Sequence, residues 1–238
     1  MNEDTQLISR HAELLARIAA ASAQAGRPAD AVRLLAVSKT FPAEDVLALA
    51  GNGQVGFGEN YLQEALDKMS RCEALRPDLA IEWHFIGPIQ SNKTRPIAER
   101  FAWVLSVDRE RIARRLSEQR PETLPALNVC IQVNVSGEAT KSGCAPEEAL
   151  PLARAISALP RLKLRGLMAI PEPTDDPGLQ RRQCARLREV FERIRGEGLD
   201  LDTLSIGMSD DLEAAIAEGS TMVRIGTALF GSRPRRQD

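Results

Sequence analysis

The sequence predicts an α/β protein of one kind, a single (β/α)8 TIM barrel with an extra N-terminal helix. Three observations predict it. Short β-rich runs alternate with helical patterns along nearly the whole chain, as βα units of a parallel sheet do. Eight such runs can be counted. The length, 238 residues, matches the roughly 250 typical of a barrel of eight units. The rival architecture is an open doubly wound sheet, built from the same alternation. The count of eight argues against it, as does VSKTFP, which stands after the first strand in place of a GxGxxG dinucleotide fingerprint.

Taken in order, residues 4–24 read as the extra helix, with Leu7, Leu14, Leu15 and Ile18 on one face. The eight strand-like runs are LLAVSKT (34–40), QVGFGEN (54–60), IEWHFIG (81–87), WVLSVD (103–108), LNVCIQVN (127–134), LKLRGLMAI (162–170), LDTLSIGM (201–208) and TMVRIGTALF (221–230). Several are almost continuously apolar, as strands are when covered outside by helices and packed inside a barrel. Helices are expected over 43–50, 61–72, 92–100, 109–119, 146–158, 178–195 and 210–218, the last with Gly219 at its C-terminal cap. PEPTDDP (171–177) reads as a surface turn, with a lid over the barrel mouth as the alternative. One domain is expected over 1–231, followed by a disordered tail over 232–238.

Composition removes several function classes. Thirty-one basic residues against 33 acidic ones leave no broad field to hold a nucleic acid by counterion release. No apolar run reaches the length of a membrane span, and MNEDTQLISRHAEL lacks the order of a signal peptide, so a cytoplasmic protein is expected. Cys72, Cys130, Cys144 and Cys184 are scattered without a CxxC pair, and only two histidines accompany them, which argues against a metal centre or a disulfide framework. No heptad pattern or long apolar stripe is visible, and the chain is read as a monomer.

In a barrel of this type, active sites collect at the C-terminal ends of the strands, and loops after strands seven and eight often build a phosphate subsite. Lys39 falls at the end of strand one, Asn60 at the end of strand two and His84 within strand three. Met208 and Ser209 follow strand seven, and Gly226 and Thr227 lie in strand eight. A lysine after the apolar run LLAVS is partly desolvated, which favours the neutral amine that attacks aldehydes; a snorkelling or salt-bridged lysine is the ordinary alternative. Ser209 occupies an expected helix N-cap, and with Gly226 and Thr227 it makes a phosphate cup or else an ordinary capped helix. Asp210 and Asp211 would repel a phosphate, so their side chains are expected to turn away. Arg224, two residues before Gly226, should point into the barrel and needs a partner there, either a ligand or an internal carboxylate.

The stretches AVSKT (36–40), GENYLQEA (58–65), WHFIGPIQSNKTR (83–95), VNVSGEATKSG (133–143), GLMAIP (166–171), LSIGMSDD (204–211) and VRIGTALFG (223–231) resemble the pyridoxal phosphate homeostasis proteins over residues 5–231. The resemblance implies a barrel like the N-terminal domain of alanine racemase, holding pyridoxal 5′-phosphate as a Schiff base on Lys39. It places Arg224 opposite the pyridine nitrogen, Asn60 near the ring, and Ser209, Gly226, Thr227 and the backbone around Met208 on the phosphate. His84 is placed in the pocket without an assigned role. Leu62 and Ile206 depart mildly from the expected pattern. The implied function is storage, buffering or delivery of the cofactor, with pyridoxal-phosphate-dependent apoenzymes as recipients. Two alternatives stand beside it: a weak amino-acid racemase using Tyr61, His84 or Lys39 as base, and a cofactor-free aldolase using the Lys39 amine.

Overall fold

A computed structural model describes residues 3–137 and 142–231. Eight parallel strands close a barrel in sequence order: β1 (Arg33–Val37), β2 (Gly56–Glu59), β3 (Glu82–Phe85), β4 (Trp103–Val107), β5 (Leu127–Gln132), β6 (Leu162–Met168), β7 (Thr203–Ser205) and β8 (Met222–Ile225). The seam pairs Leu35 with Arg224 and Ala36 with Ile225, joining β8 back to β1. Around the barrel run α2 (Ala43–Gly51), α3 (Leu62–Leu75), α4 (Thr94–Arg100), α5 (Glu110–Gln119), α6 (Ala149–Ser157), α7 (Pro177–Gly196), α8 (Leu212–Ala217) and α9 (Thr227–Phe230), and α1 (Glu3–Gln24) precedes β1. None of these helices is long and apolar enough to cross a membrane. The (β/α)8 TIM barrel with its extra helix is the fold the sequence predicts; the expected tail, 232–238, lies outside the described residues.

Alternation along each strand builds two separate apolar layers. Outward residues such as Ala36, Phe57, Val104, Val129 and Val223 join the helices in one large buried shell. Inward residues Leu35, Trp103, Leu105, Cys130, Met168 and Met222 fill the barrel itself. A packed barrel interior leaves ligands to the rims.

Two elements differ from expectation. In α1, Leu7, Leu14 and Ile18 are buried, joined by His11 and Ala21, while Leu15 is 44% exposed. The buried set follows a 4-3-4-3 spacing, and Leu15 falls about 100° round from Leu14, off that stripe. The last strand stops at Ile225 rather than running to 230. Gly226 turns the chain, Thr227–Phe230 coils into α9, and Phe230 stacks on Phe41 with ring centroids 4.8 Å apart. The run TALF is apolar because it packs against the outer shell, a demand that helix and strand satisfy equally well. The loop Pro171–Pro177 is largely exposed, as a surface turn is, and is tied to the loop after β7, since Gln180 Nε2 donates to the carbonyls of Thr174 and Asp210.

Candidate functional site at the barrel mouth

Strand β1 ends at Val37, and Lys39 stands two residues beyond it on a turn anchored on both sides. Ser38 is fully buried, its Oγ donating to Glu59 Oε1 at 2.7 Å. Lys68, from α3, donates to the Ser38 carbonyl at 2.7 Å and to Glu59 Oε1 at 2.6 Å. The Thr40 N–H donates to Glu64 Oε1 at 2.5 Å, and Lys68 reaches the same oxygen at 3.2 Å. Thr40 is held at φ 69°, a left-handed conformation that a β-branched residue adopts only under constraint. Burial pushes the Glu59 carboxyl up, and the Lys68 ammonium opposes that shift. The backbone on both sides of Lys39 is therefore fixed by one buried ionic network.

Arg224 lies inside the barrel, 5% exposed, and its partners are neutral. Its Nη1 donates to the Ser205 carbonyl at 2.8 Å and to Ser205 Oγ at 2.9 Å, and its Nη2 to the Ala169 carbonyl at 2.8 Å. The carboxylate that sequence reasoning allowed as its internal partner is not among these contacts. Burial pulls the guanidinium down to about 10, which leaves it cationic at neutral pH.

The loop after β7 is built differently from its prediction. The N-cap of α8 is Asp211, not Ser209. The Asp211 carboxylate turns back to accept from the Met208 N–H at 2.6 Å, so that donor is already committed. Asp211 thus faces its own loop, as expected, whereas Asp210 lines the mouth. Gly207 makes the turn possible: it sits at φ 109°, and a Cβ there would lie 2.7 Å from Ala215 Cβ. Across the mouth, Gly226 and Thr227 start α9 instead of ending β8, so the first N–H groups of that helix have no acceptor within it.

These elements enclose one cavity of about 550 Å³ at the C-terminal ends of the strands. Seven of the eight residues singled out from sequence line it: Lys39, Asn60, Met208, Ser209, Arg224, Gly226 and Thr227. Asn60 Oδ1 is buried and without a hydrogen-bond partner. Its main chain is drawn in close to Gly87, where a Cβ would lie 2.2 Å from the Asn60 carbonyl oxygen. Val37, Ile86 and Ile170 supply apolar walls that no polar motif could announce.

His84 is the residue the structure sets apart. Glu82 and His84 lie on the inward face of β3, Ile86 continues that face one residue past its end, and of the three only Ile86 reaches the mouth. His84, 1% exposed, lies one pleat deeper, where Nε2 bonds Glu82 Oε1 at 2.8 Å and the ring stacks on Trp103 at 5.2 Å. With Arg33 and Glu82 it lines a cavity of about 400 Å³ at the other end of the barrel. Burial pulls its imidazole below the usual histidine range, and Glu82 opposes the shift only in part. Tyr61, 52% exposed, lines a neighbouring cavity at the mouth rather than the one around Lys39. The Ser38–Glu59–Lys68–Glu64 network was not foreseen. Its one sequence signal is the i,i+4 pair Glu64–Lys68, which surface helices also carry.

A parallel barrel with a lysine, a buried arginine and two backbone-rich loops around one mouth defines a class of small-molecule-binding (β/α)8 proteins. The sequence model described as alanine racemase, N-terminal domain, matches residues 11–234. The chain is 63% identical over 222 residues to the pyridoxal phosphate homeostasis protein of Pseudomonas aeruginosa, covering 93% of this chain and 94% of that one. It is 50% identical over 222 residues to the protein of the same name from Escherichia coli K12, with the same coverage of each. The structure of PipY from Synechococcus elongatus PCC7942 with PLP bound superposes with a TM-score of 0.82 at 32% identity, covering 94% of this chain and all of that one. Alanine racemase from Corynebacterium glutamicum shares the fold, with a TM-score of 0.68 at 19% identity over 95% of this chain and 63% of that one. The chain belongs to the alanine racemase N-terminal domain family and, within it, to the pyridoxal phosphate homeostasis proteins.

Proposed function

We propose that this protein binds pyridoxal 5′-phosphate at the barrel mouth, as a Schiff base on Lys39, and stores, buffers or delivers it to apoenzymes that depend on it. The observation that carries the reading is the convergence of Lys39, Asn60, Arg224 and the Ser209 and Gly226–Thr227 loops on a single cavity. The donor set fits the group. A cationic guanidinium held by neutral acceptors suits the pyridine nitrogen, and the unpartnered Asn60 Oδ1 suits a polar substituent of the ring. Ser209, Thr227 and the first N–H groups of α9 suit the phosphate. With the Met208 N–H engaged by Asp211, the phosphate share of that loop falls to Ser209.

Bound there, the cofactor supplies an aldehyde that holds amines covalently and reversibly. The chain's own residues orient it and do little else. Among the described residues, Lys39, Asp210 and Arg224 are the titratable ones lining the cavity, and an arginine opposite the ring nitrogen would keep that nitrogen unprotonated and the ring a weak electron sink. That combination favours carriage over carbanion chemistry. The protein acts in this reading as a monomer.

The test is the visible absorption spectrum of the purified protein with added pyridoxal 5′-phosphate, before and after borohydride. Wild type is expected to develop a band that reduction fixes on the peptide containing Lys39, and Lys39→Ala to develop none. A label on another lysine, or an unchanged band in Lys39→Ala, overturns the assignment.

A further inference from the structure

Lys39 sits in a tight turn whose form its own sequence disfavours. The Phe41 N–H donates to the Ser38 carbonyl at 3.1 Å and closes a β-turn from Ser38 to Phe41. Within it Thr40 has φ 69° while Lys39 stays out of the positive region, which is the pattern of a type II turn. That turn takes glycine or asparagine at its third position, because a positive φ crowds a Cβ. Elsewhere the described residues meet a positive φ with glycine at eight positions, and with another residue only at Arg161. Nor does the threonine hydroxyl offset the strain, since Thr40 Oγ1 is buried without a hydrogen-bond partner.

The direction of one peptide group separates this turn from the relaxed one. Types I and II differ by a flip of the peptide between the second and third residues, here Lys39 and Thr40. In the observed form the Thr40 N–H points to the first turn of α3, where Glu64 Oε1 accepts it at 2.5 Å. After a flip Thr40 would relax to a negative φ, and the Lys39 carbonyl would face that carboxylate in place of the N–H. A charge-assisted hydrogen bond thus opposes a steric preference. The Glu59 and Lys68 side chains are sealed, at 0% and 4% exposure, but Glu64 is 29% exposed and open to solvent. We infer that Glu64 is a positioning residue for Lys39. It acts through the Lys39–Thr40 peptide, and threonine at position 40 makes the placement of the lysine conditional on that carboxylate. With glycine there the turn would keep its form unaided. The inference rests on the cofactor reading only for its effect on ligand retention.

The experiment compares Glu64→Ala, Glu64→Gln, Thr40→Gly and the double variant Thr40→Gly with Glu64→Ala. Amide exchange at Thr40 is read by NMR on untreated protein, and the half-life of the visible band is read on dialysis after loading with pyridoxal 5′-phosphate. In Glu64→Ala the Thr40 amide should exchange at least about tenfold faster than in wild type, and the band should decay at least about fivefold faster. Glu64→Gln keeps an acceptor oxygen without the charge, and should stay within about threefold of wild type in both. The double variant should hold the band within about twofold as long as Thr40→Gly alone, because the two changes meet at one peptide and glycine makes Glu64 dispensable. Glu64→Gln behaving as Glu64→Ala overturns the inference in favour of a plain charge effect. A double variant as poor as Glu64→Ala overturns it in favour of packing, and so does a Thr40 amide indifferent to Glu64→Ala. Should Glu64→Ala fail to fold, folding of the double variant supports the inference and failure of both overturns it. No band in wild type overturns the cofactor reading alone, and exchange at Thr40 still decides what holds the turn.

Discussion

The two ends of the barrel both carry arginines, half-exposed or partly buried at one end and fully enclosed at the other, and use them in opposite ways. At the N-terminal end, Arg165 pairs with Asp202 at 2.7 Å and Arg33 approaches Glu82 at 3.9 Å. Both guanidinium groups lie over Trp103, 4.6 and 5.2 Å from its ring centre, and His84 stacks on the same ring. Charge there is matched by charge and covered by aromatic surface. At the mouth, Arg224 is held by carbonyls and a hydroxyl, so its charge is positioned without being neutralised. A single strand serves both purposes, with Glu82 and His84 at the closed end and Ile86 at the mouth. Neutral partners alone do not mark a ligand, since the buried Arg120 is likewise held by the carbonyls of Ala98, Phe101 and Pro125; the difference at the mouth is that the un-neutralised charge of Arg224 faces a cavity.

That contrast can be broken in three places. The largest effect is expected at the network beneath Lys39. Lys68→Met leaves the Glu59 carboxylate buried without its cation, a loss of about 3–5 kcal/mol, measured by urea denaturation. Cofactor uptake should fall with it, because Ser38 and Thr40 lose their anchors. Unchanged stability and uptake would show that the turn needs no such support.

Next comes the closed end, where the effect is one of pH. His84 is buried with its imidazole lowered, so the unfolded chain binds a proton that the folded one refuses. Stability is then fully present above about 6.5, the unfolded histidine value, and is lost as the pH falls through the folded value. His84→Phe should flatten thermal stability across that window and leave the Lys39 band untouched. A band that weakens in this variant returns His84 to the mouth.

The smallest effect lies in the support of α9. Arg10 donates from α1 to the carbonyls of Leu229 and Phe230 at 2.7 and 3.3 Å. Arg10→Ala should cost about 1–2 kcal/mol, and retention of pyridoxal 5′-phosphate on dialysis should shorten while the band keeps its position. Equal retention would separate the cup from its outer brace.

The barrel was legible because eight apolar runs need covering on both faces, a demand that composition and spacing display directly. The places of Lys39 and Asn60 at the mouth were legible because each stands at the end of such a run, and that of Arg224 because its charge interrupts one. What alternation hides is depth: His84 and Ile86 share a face, and one pleat decides which reaches the ligand. Nor could the sequence show that TALF would coil, since an apolar tetrad after a glycine packs as readily in either form. The N-cap at Asp211 was missed because Ser209, Asp210 and Asp211 are all good capping residues. Only the turn at Gly207 decides which carboxylate folds back on Met208.

The brace behind the loops at the mouth has a consequence for how the protein is made. Arg10 holds the end of α9, and Arg17 donates at 3.1 Å to the carbonyl of Ser209. The first helix synthesised therefore packs early on α2 but completes its contacts only when α8 and α9 arrive. A nascent chain that has not yet delivered α9 presents the lysine without the wall that Gly226 and Thr227 supply. On the proposed reading of the mouth, retention of the ligand would begin only once α9 has been made.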